Sequence, residues 1–311
     1  MATYLVTGGA GFIGSHVVEA LVARDEKVRV VDSLVTGRRE NLARVAGVDL
    51  TVGDLADSAV ADHVVTGIDY VVHLAALPSV SRSIADPVGS NKDNVSATLS
   101  LLSAAKRHRV RRVVFASSSA IYGNTVTVPS GEDLKPDPLS PYALQKLIGE
   151  QYGKLFQQLY GLDTVALRYF NVFGPRQDSS SPYSGVISIF SRCLTEGLQP
   201  VIYGDGEQTR DFTYVDNVVD GTLRACTAPR AAGRVINVSC GDRVTLNTLF
   251  ELMRQFSGVE VQPKFAELRA GEVRHSQADI SRAKALLGYQ PVVAFQEGLR
   301  RTIKWYQAQG V

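Results

Sequence analysis

Tyr142 and Lys146 stand four apart in the stretch SPYALQKLIGEQYGKLFQQLYG, a spacing that puts both side chains on one face of a helix. A phenol beside an ammonium group points to proton transfer. Tyrosine is neutral near pH 7, but a neighbouring positive charge favours the phenolate, so the Tyr142 oxygen can serve as a general base. The competing reading is a surface tyrosine next to a solvated lysine, and the surrounding motifs decide between the two.

At the amino terminus the apolar run Tyr4 to Val6 meets Thr7 and then Gly8, Gly9, Ala10, Gly11, Phe12, Ile13 and Gly14. This is a GxxGxxG pattern between a strand and a helix. Its glycines allow a sharp turn and close approach to a pyrophosphate, which the helix start attracts through its free amides and dipole. A second strand, KVRVVD, ends in Asp32. An acid at that point binds two ribose hydroxyls and repels a 2'-phosphate, so the expected cofactor is NAD rather than NADP.

Such groups need a scaffold that brings strand ends together. The runs YLVTG, VRVVD, DLTVGD, YVVHLAA, RVVFASS and TVALRYFN alternate with helical patterns, which predicts a parallel sheet covered by helices on both faces. The fold class expected is therefore α/β, a Rossmann-type doubly wound sheet, with a smaller mixed α/β substrate-binding lobe on the carboxyl-terminal side. Residues 1–174 form the cofactor domain, 214–240 return to it, and 175–311 are mainly the lobe. Asp54, Ala75, Ala76, Ser117, Ser118 and Tyr169 to Asn171 all end predicted strands, where ligands bind in open α/β sheets. The closing helix FQEGLRRTIKWYQAQ carries an apolar face of Phe295, Leu299, Ile303 and Trp305 or Tyr306 and reads as structural.

Composition narrows the class further. The 311 residues are 45% hydrophobic with a net charge of +2, an ordinary globular make-up that suggests neither nucleic acid nor a membrane surface as partner. The basic cluster from Lys106 to Arg112 reads as a solvated helix end. Cys193, Cys226 and Cys240 are widely spaced and odd in number, and the histidines are scattered. Both facts argue against a metal site, and the thiols fit a reducing compartment. With no charged and apolar leader and no long apolar run, the cytoplasm is the expected location.

The segments TGGAGFIGSH, HLAA, SSSAIYG, SPYALQK, RYFNVFGPRQD and DGEQTRDFTYVDN resemble, in order and spacing, the extended short-chain dehydrogenase/reductase family, and within it the UDP-hexose 4-epimerases. The resemblance runs over essentially the whole length. It implies that Tyr142 takes the proton of the sugar 4-hydroxyl as carbon 4 is oxidised by NAD, that Lys146 holds the nicotinamide ribose, and that Ser118 relays the proton. A 4-keto sugar then rotates and is reduced on its other face. Further cofactor contacts implied are Gly8, Gly11, Phe12, Ile13 and Gly14 at the phosphates, Asp32, Ser33, Thr36, Gly37, Asp54 and Leu55 around the adenosine, Leu74, Ala75 and Ala76 beneath the rings, and Asn94, Ser117 and Tyr169. For the UDP-sugar, Arg210 and Arg269 would clamp the diphosphate, Asn171 would bind the diphosphate or sugar, and Val186 and Tyr203 would border the uracil. The resemblance also implies a homodimer built on helices at Asp93 to His108 and Ser140 to Tyr160.

Related 4,6-dehydratases resemble T-D-E-V-Y-G where this chain has Ser118, Ser119 and Ala120, so the carboxylates that dehydration requires are missing. The glutamate that resembles the decarboxylases is missing as well. Ser276 stands where enzymes that accept 2-acetamido sugars resemble a small residue and those confined to plain hexoses a tyrosine. This favours UDP-N-acetylglucosamine and UDP-N-acetylgalactosamine, with UDP-glucose and UDP-galactose as poorer or parallel substrates. A UDP-glucuronate 4-epimerase and a non-catalytic NAD-binding module of the same fold are the alternatives. Ser33 and Pro78 depart from the commonest epimerase pattern, and each removes one cofactor contact.

Overall fold

The computed structural model describes residues 1–179, 185–267 and 273–309. Its sheet is built from β-branched runs in which successive residues are buried on opposite faces. Leu5, Val31, Val71 and Val113 enter one hydrophobic cluster, and their neighbours Val6, Val30, Val72 and Val114 enter another. A strand apolar on both sides has to be sandwiched between helices, and it pairs in parallel because helical crossovers connect it to the next.

The strands in chain order are β1 (Thr3–Thr7), β2 (Lys27–Asp32), β3 (Asp49–Val52), β4 (Tyr70–His73), β5 (Arg112–Ser118) and β6 (Asp163–Tyr169), then the short β7 (Val172–Phe173), β8 (Val201–Tyr203), β9 (Thr209–Arg210) and β10 (Thr213–Tyr214), followed by β11 (Arg234–Val238), β12 (Val244–Thr245) and β13 (Lys264–Ala266). Seven of them form one parallel sheet in the order β11-β6-β5-β4-β1-β2-β3. The expected doubly wound α/β fold is borne out. The order reverses direction between β1 and β4, so a crevice opens there beyond the carboxyl ends of the strands.

The helices are α1 (Phe12–Val22), α2 (Ser58–Val65), α3 (Val80–Ala85), α4 (Pro87–Asn91), α5 (Ala97–Arg107), α6 (Pro141–Tyr160), α7 (Val186–Glu196), α8 (Val215–Thr227), α9 (Leu246–Ser257), α10 (Ser281–Leu287) and α11 (Phe295–Gln309). Between α4 and α5 a π-helical turn spans Lys92–Ser96, so the helix expected from Asp93 onward begins with an extra residue per turn. On one face of the sheet α1 and α8 pack together. On the other, α2 and α5 cover it beside α6. The cluster that holds Val6 continues without a break to Phe190 of α7, Phe250 of α9 and Leu299 of α11. No helix among the described residues is long and apolar enough to cross a membrane.

Arg112 departs from the sequence expectation. It is buried rather than solvated, and its Nη1 donates to the carbonyls of Ala225, Cys226 and Ala228 at 3.0, 3.3 and 2.7 Å. The carboxyl end of α8 arrives over β5 with unpaired carbonyls, and the guanidinium caps them while its Nη2 reaches Asp163.

Candidate active site

Helix α6 is sharply bounded. Ser140 caps its first turn by accepting from the Ala143 amide at 3.2 Å, Pro141 takes the first helical position, and Gly161 ends it in a left-handed conformation. Gly149 sets its distance from the sheet, because a Cβ there would lie 2.4 Å from Cζ of Phe115 on β5. A close helix brings Tyr142 to the carboxyl end of β5, where its phenol faces the Ser118 side chain. Ser118 in turn accepts from the Ala120 amide at 3.1 Å, and Ser83 of α3 accepts from the Tyr142 amide at 3.1 Å.

Lys146 is buried, donates to the Ala116 carbonyl at 2.8 Å, and holds its Nζ 5.8 Å from the centre of the Tyr142 ring. Burial pulls its pKa down to about 8. Burial also raises that of Tyr142, with the nearby Ser118 side chain acting in the opposite direction. The expectation is that lysine favours the phenolate; the dominant effect on Tyr142 here is instead desolvation of the buried phenol.

Tyr142 and Lys146 face a cavity of about 2020 Å³, more than one nucleotide-sized ligand fills. At one end lie Gly8, Gly11, Phe12, Ile13 and Gly14, followed by Asp32, Ser33, Thr36, Gly37, Asp54 and Leu55. Leu74, Ala75, Ala76, Ser117, Ser118 and Tyr169 line its middle, and Asn171, Arg210 and Ser276 line the far end. Sequence reasoning named all of these. Asn94, Val186 and Tyr203 do not line the cavity, and Arg269 lies outside the described residues.

The residues at the first end fit a dinucleotide. No side chain caps α1 and its first turn holds no acid, so the amides of that turn remain available to a phosphate. Gly8 has a φ of +67°, and a Cβ on it would stand 2.8 Å from the Ala75 amide nitrogen. The Asp32 carboxylate is fixed by the amides of Ala10 at 3.0 Å and Leu34 at 2.8 Å. Asp54 accepts from Lys92 Nζ at 2.8 Å, and that bond, with the Ala56 amide, holds its pKa below the usual carboxylate range.

Asn94 serves the site from behind. Its Oδ1 accepts from the Leu77 amide at 2.7 Å, and its Nδ2 donates to Gln145 Oε1 on α6 at 2.7 Å. Its carbonyl accepts from Thr98 Oγ1 at 2.6 Å. With that hydroxyl proton committed, Thr98 must accept from His73 Nε2 at 3.0 Å. His73 Nδ1 then accepts from Thr7 Oγ1 at 2.8 Å, while Thr7 itself accepts from the Ala75 amide at 3.1 Å. One tautomer satisfies the whole chain, and burial keeps His73 neutral by lowering its pKa to about 3.

At the far end, Arg210 on β9 donates to the carbonyls of Thr209 and Arg274, and the Ser276 amide donates to Thr209 at 3.1 Å. Asn171 sits at a φ of +32° with its amide on the Asp211 carbonyl at 3.0 Å. Asp211 is fully buried and receives the amides of Cys240, Gly241 and Ala278 at 3.2, 3.1 and 3.0 Å. Burial lifts its pKa to about 6. Sequence reasoning did not single out Asp211, nor Arg176, which binds Glu19 of α1 at 2.9 and 2.6 Å and fastens the turn after β7 to the cofactor end. It also passed over Glu150, although 142, 146 and 150 form one i, i+4, i+8 row.

Comparison with known proteins gives matches over most of the chain. The sequence model of the NAD dependent epimerase/dehydratase family matches residues 4–239. A UDP-glucose 4-epimerase of Mycolicibacterium smegmatis is 39% identical over 97% of this chain and 98% of its own. The structure of a UDP-N-acetylglucosamine 4-epimerase from Methanobrevibacter ruminantium, in complex with UDP-N-acetylmuramic acid, superposes with a TM-score of 0.95 at 43% identity over 99% of both chains. A UDP-glucuronic acid 4-epimerase variant from Bacillus cereus, in complex with UDP-4-deoxy-4-fluoro-glucuronic acid and NAD, gives 0.91 at 31% identity over 99% of both.

Proposed function

The chain belongs to the NAD-dependent epimerase/dehydratase family, its cofactor is NAD, and we propose that within that family it is a UDP-sugar 4-epimerase. The observation that carries the reading is Tyr142 facing Ser118 beside buried Lys146, midway along a cavity with a dinucleotide cradle at one end and Arg210 at the other. NAD, when bound, supplies a reversible two-electron acceptor for sugar carbon 4. Gly8, Gly11 to Gly14 and Asp32 would hold its phosphates and adenosine ribose. Tyr142 would accept the proton of the 4-hydroxyl at its phenolate oxygen, with Ser118 holding that hydroxyl and passing the proton on. Lys146 would lower the pKa of Tyr142 and hold the nicotinamide ribose. Arg210 and Asn171 would grip the diphosphate, leaving the 4-keto sugar free to turn and be reduced on its other face.

For the sugar, we favour UDP-N-acetylglucosamine and UDP-N-acetylgalactosamine, because Ser276 is small and lies beside Arg210 on the cavity wall. We read residues 175–213 and 241–311 as mainly the UDP-sugar side. The exposed apolar residues Leu144, Leu155 and Leu159 on α6 support a homodimer through the helices at 93–108 and 140–160, and the free thiols are in keeping with a cytoplasmic enzyme.

Proton NMR of the anomeric signals, with UDP-glucose, UDP-N-acetylglucosamine and UDP-glucuronate each supplied to the NAD-loaded protein, tests the reading. Conversion of the acetamido sugar to its 4-epimer, fastest of the three, is expected. Faster conversion of the glucuronate would reassign the substrate, and no conversion of any would overturn the reaction.

A further inference from the structure

Glu150 lies one turn beyond Lys146 on the same row of α6, is 4% exposed, and does not line the cavity. Its Oε1 accepts from Ser117 Oγ at 2.6 Å and from Arg168 Nε at 2.9 Å, and its Oε2 accepts from Arg168 Nη2 at 2.8 Å. Arg168 on β6 is 3% exposed. Burying such a pair costs both ions their hydration, and apolar residues of similar size often stabilise a fold as well or better. Stability alone therefore does not account for this pair, whereas its position does.

Ser117 and Ser118 are adjacent at the carboxyl end of β5. Ser117 donates to Glu150 of α6, while Ser118 faces Tyr142 of the same helix. The two contacts are joined by one residue of strand and two turns of helix, so the first fixes the geometry of the second. The network also extends outward. The Arg168 guanidinium lies 4.7 Å over the Tyr122 ring, and the Tyr122 hydroxyl donates to Asn237 Oδ1 at 2.7 Å. Asn237 Nδ2 donates to the carbonyls of Ser130 and Asp279 at 2.9 and 3.0 Å. Ser130 also pairs with the backbone beside Ser276, its amide donating to the Gln277 carbonyl at 2.8 Å.

We propose that Glu150 and Arg168 are positioning residues that hold Ser118 against Tyr142 and tie this contact, through Tyr122 and Asn237, to the segment that carries Ser276. The proposal rests on the epimerase reading for its kinetic test and on geometry alone for its structural one. In the NAD-loaded enzyme, Glu150→Gln is expected to lower kcat by about 10- to 100-fold, the scale on which small misplacements of reacting groups act, with KM for the UDP-sugar changed by less than about threefold. In a Ser118→Ala background the same substitution should cost less than about threefold, because no Ser118 hydroxyl is left to position. An equal loss in both backgrounds, or a loss in KM alone, overturns the proposal.

Wild-type turnover is measured alongside, so that an inactive wild type counts against the epimerase reading and not against this one. A crystal structure of the Glu150→Gln holoenzyme supplies the test that needs no activity. The Ser118 hydroxyl is expected to move away from the Tyr142 oxygen relative to its place in the wild-type holoenzyme, and an unchanged separation overturns the proposal. If the glutamine variant does not fold, the paired change Glu150→Leu with Arg168→Met, apolar on both sides, takes its place in each experiment with the same outcomes.

Discussion

Replacing Lys146 with methionine keeps the length of the side chain and removes its charge. The ammonium lies 5.8 Å from the centre of the Tyr142 ring. At that separation and an effective dielectric constant of about 20, a unit charge stabilises the phenolate by about 3 kcal/mol, or about 2 pKa units. Burial already raises Tyr142 above the ordinary phenol value, and the lysine charge would oppose that rise when the phenol ionises. The sign follows directly. Removing the charge moves the Tyr142 ionisation upward, and below it the phenolate fraction, and with it kcat/KM, falls by up to about 100-fold. The assay is kcat/KM for the UDP-sugar against pH at saturating NAD, with bound NAD measured separately for each variant. Tyr142→Phe identifies the limb of the profile that belongs to the phenol, because that variant lacks the ionising hydroxyl. A limb that stays in place in the methionine variant, or a rate loss that merely follows loss of NAD, refutes the reasoning.

Ser276→Tyr is expected to lower kcat/KM for acetamido sugars by at least about 10-fold relative to plain hexoses, since the backbone bond of Ser276 to Thr209 leaves the larger ring only the cavity to occupy. Competition between the two UDP-sugars in one tube measures the ratio, and an unchanged ratio counts against Ser276 as the gatekeeper. Asp211 has a folded pKa of about 6, raised by burial, so the native state binds the extra proton and stability falls as pH rises from about 4 through about 6. The excess stability of wild type over Asp211→Asn, followed by denaturant unfolding, should shrink across that window by roughly 3 kcal/mol, and a difference independent of pH would refute the assignment. Gly149→Ala drives a methyl group into the Phe115 ring and should cost about 1–3 kcal/mol, read as a lowered Tm. An unchanged Tm would show that the α6–β5 spacing is slack.

The residues that could be read from sequence owe their positions to local rules. Gly8 to Gly14, Ser118 and the pair Tyr142 and Lys146 sit at strand ends or helix starts that a period of two or 3.6 and a capping residue define within a few positions. Where the partner comes from far along the chain, local rules fail. Arg112 looked like one more cation in a basic run, and only the arrival of Ala225 to Ala228 explains its burial. Asn94 looked like a cofactor contact, but Gln145 and Leu77 hold its amide. The far end of the cavity was the least legible part, because β9 and β12 are two residues each, too short to show any period. Glu150 was visible as a spacing, but its carboxylate gained meaning only once Arg168 and Ser117 were in place.

The position of β11 at the edge of the sheet, beside β6, bears on how the chain is made. While the ribosome has yet to release residues 234–238, β6 presents an unpaired parallel edge lined by Val165 and Leu167. An edge of that kind recruits other strands and is a hazard in a crowded cell. Until residues 234–238 emerge, that edge stays open to other chains. A fragment cut after residue 174 would be expected to self-associate in vitro rather than behave as an autonomous dinucleotide-binding unit.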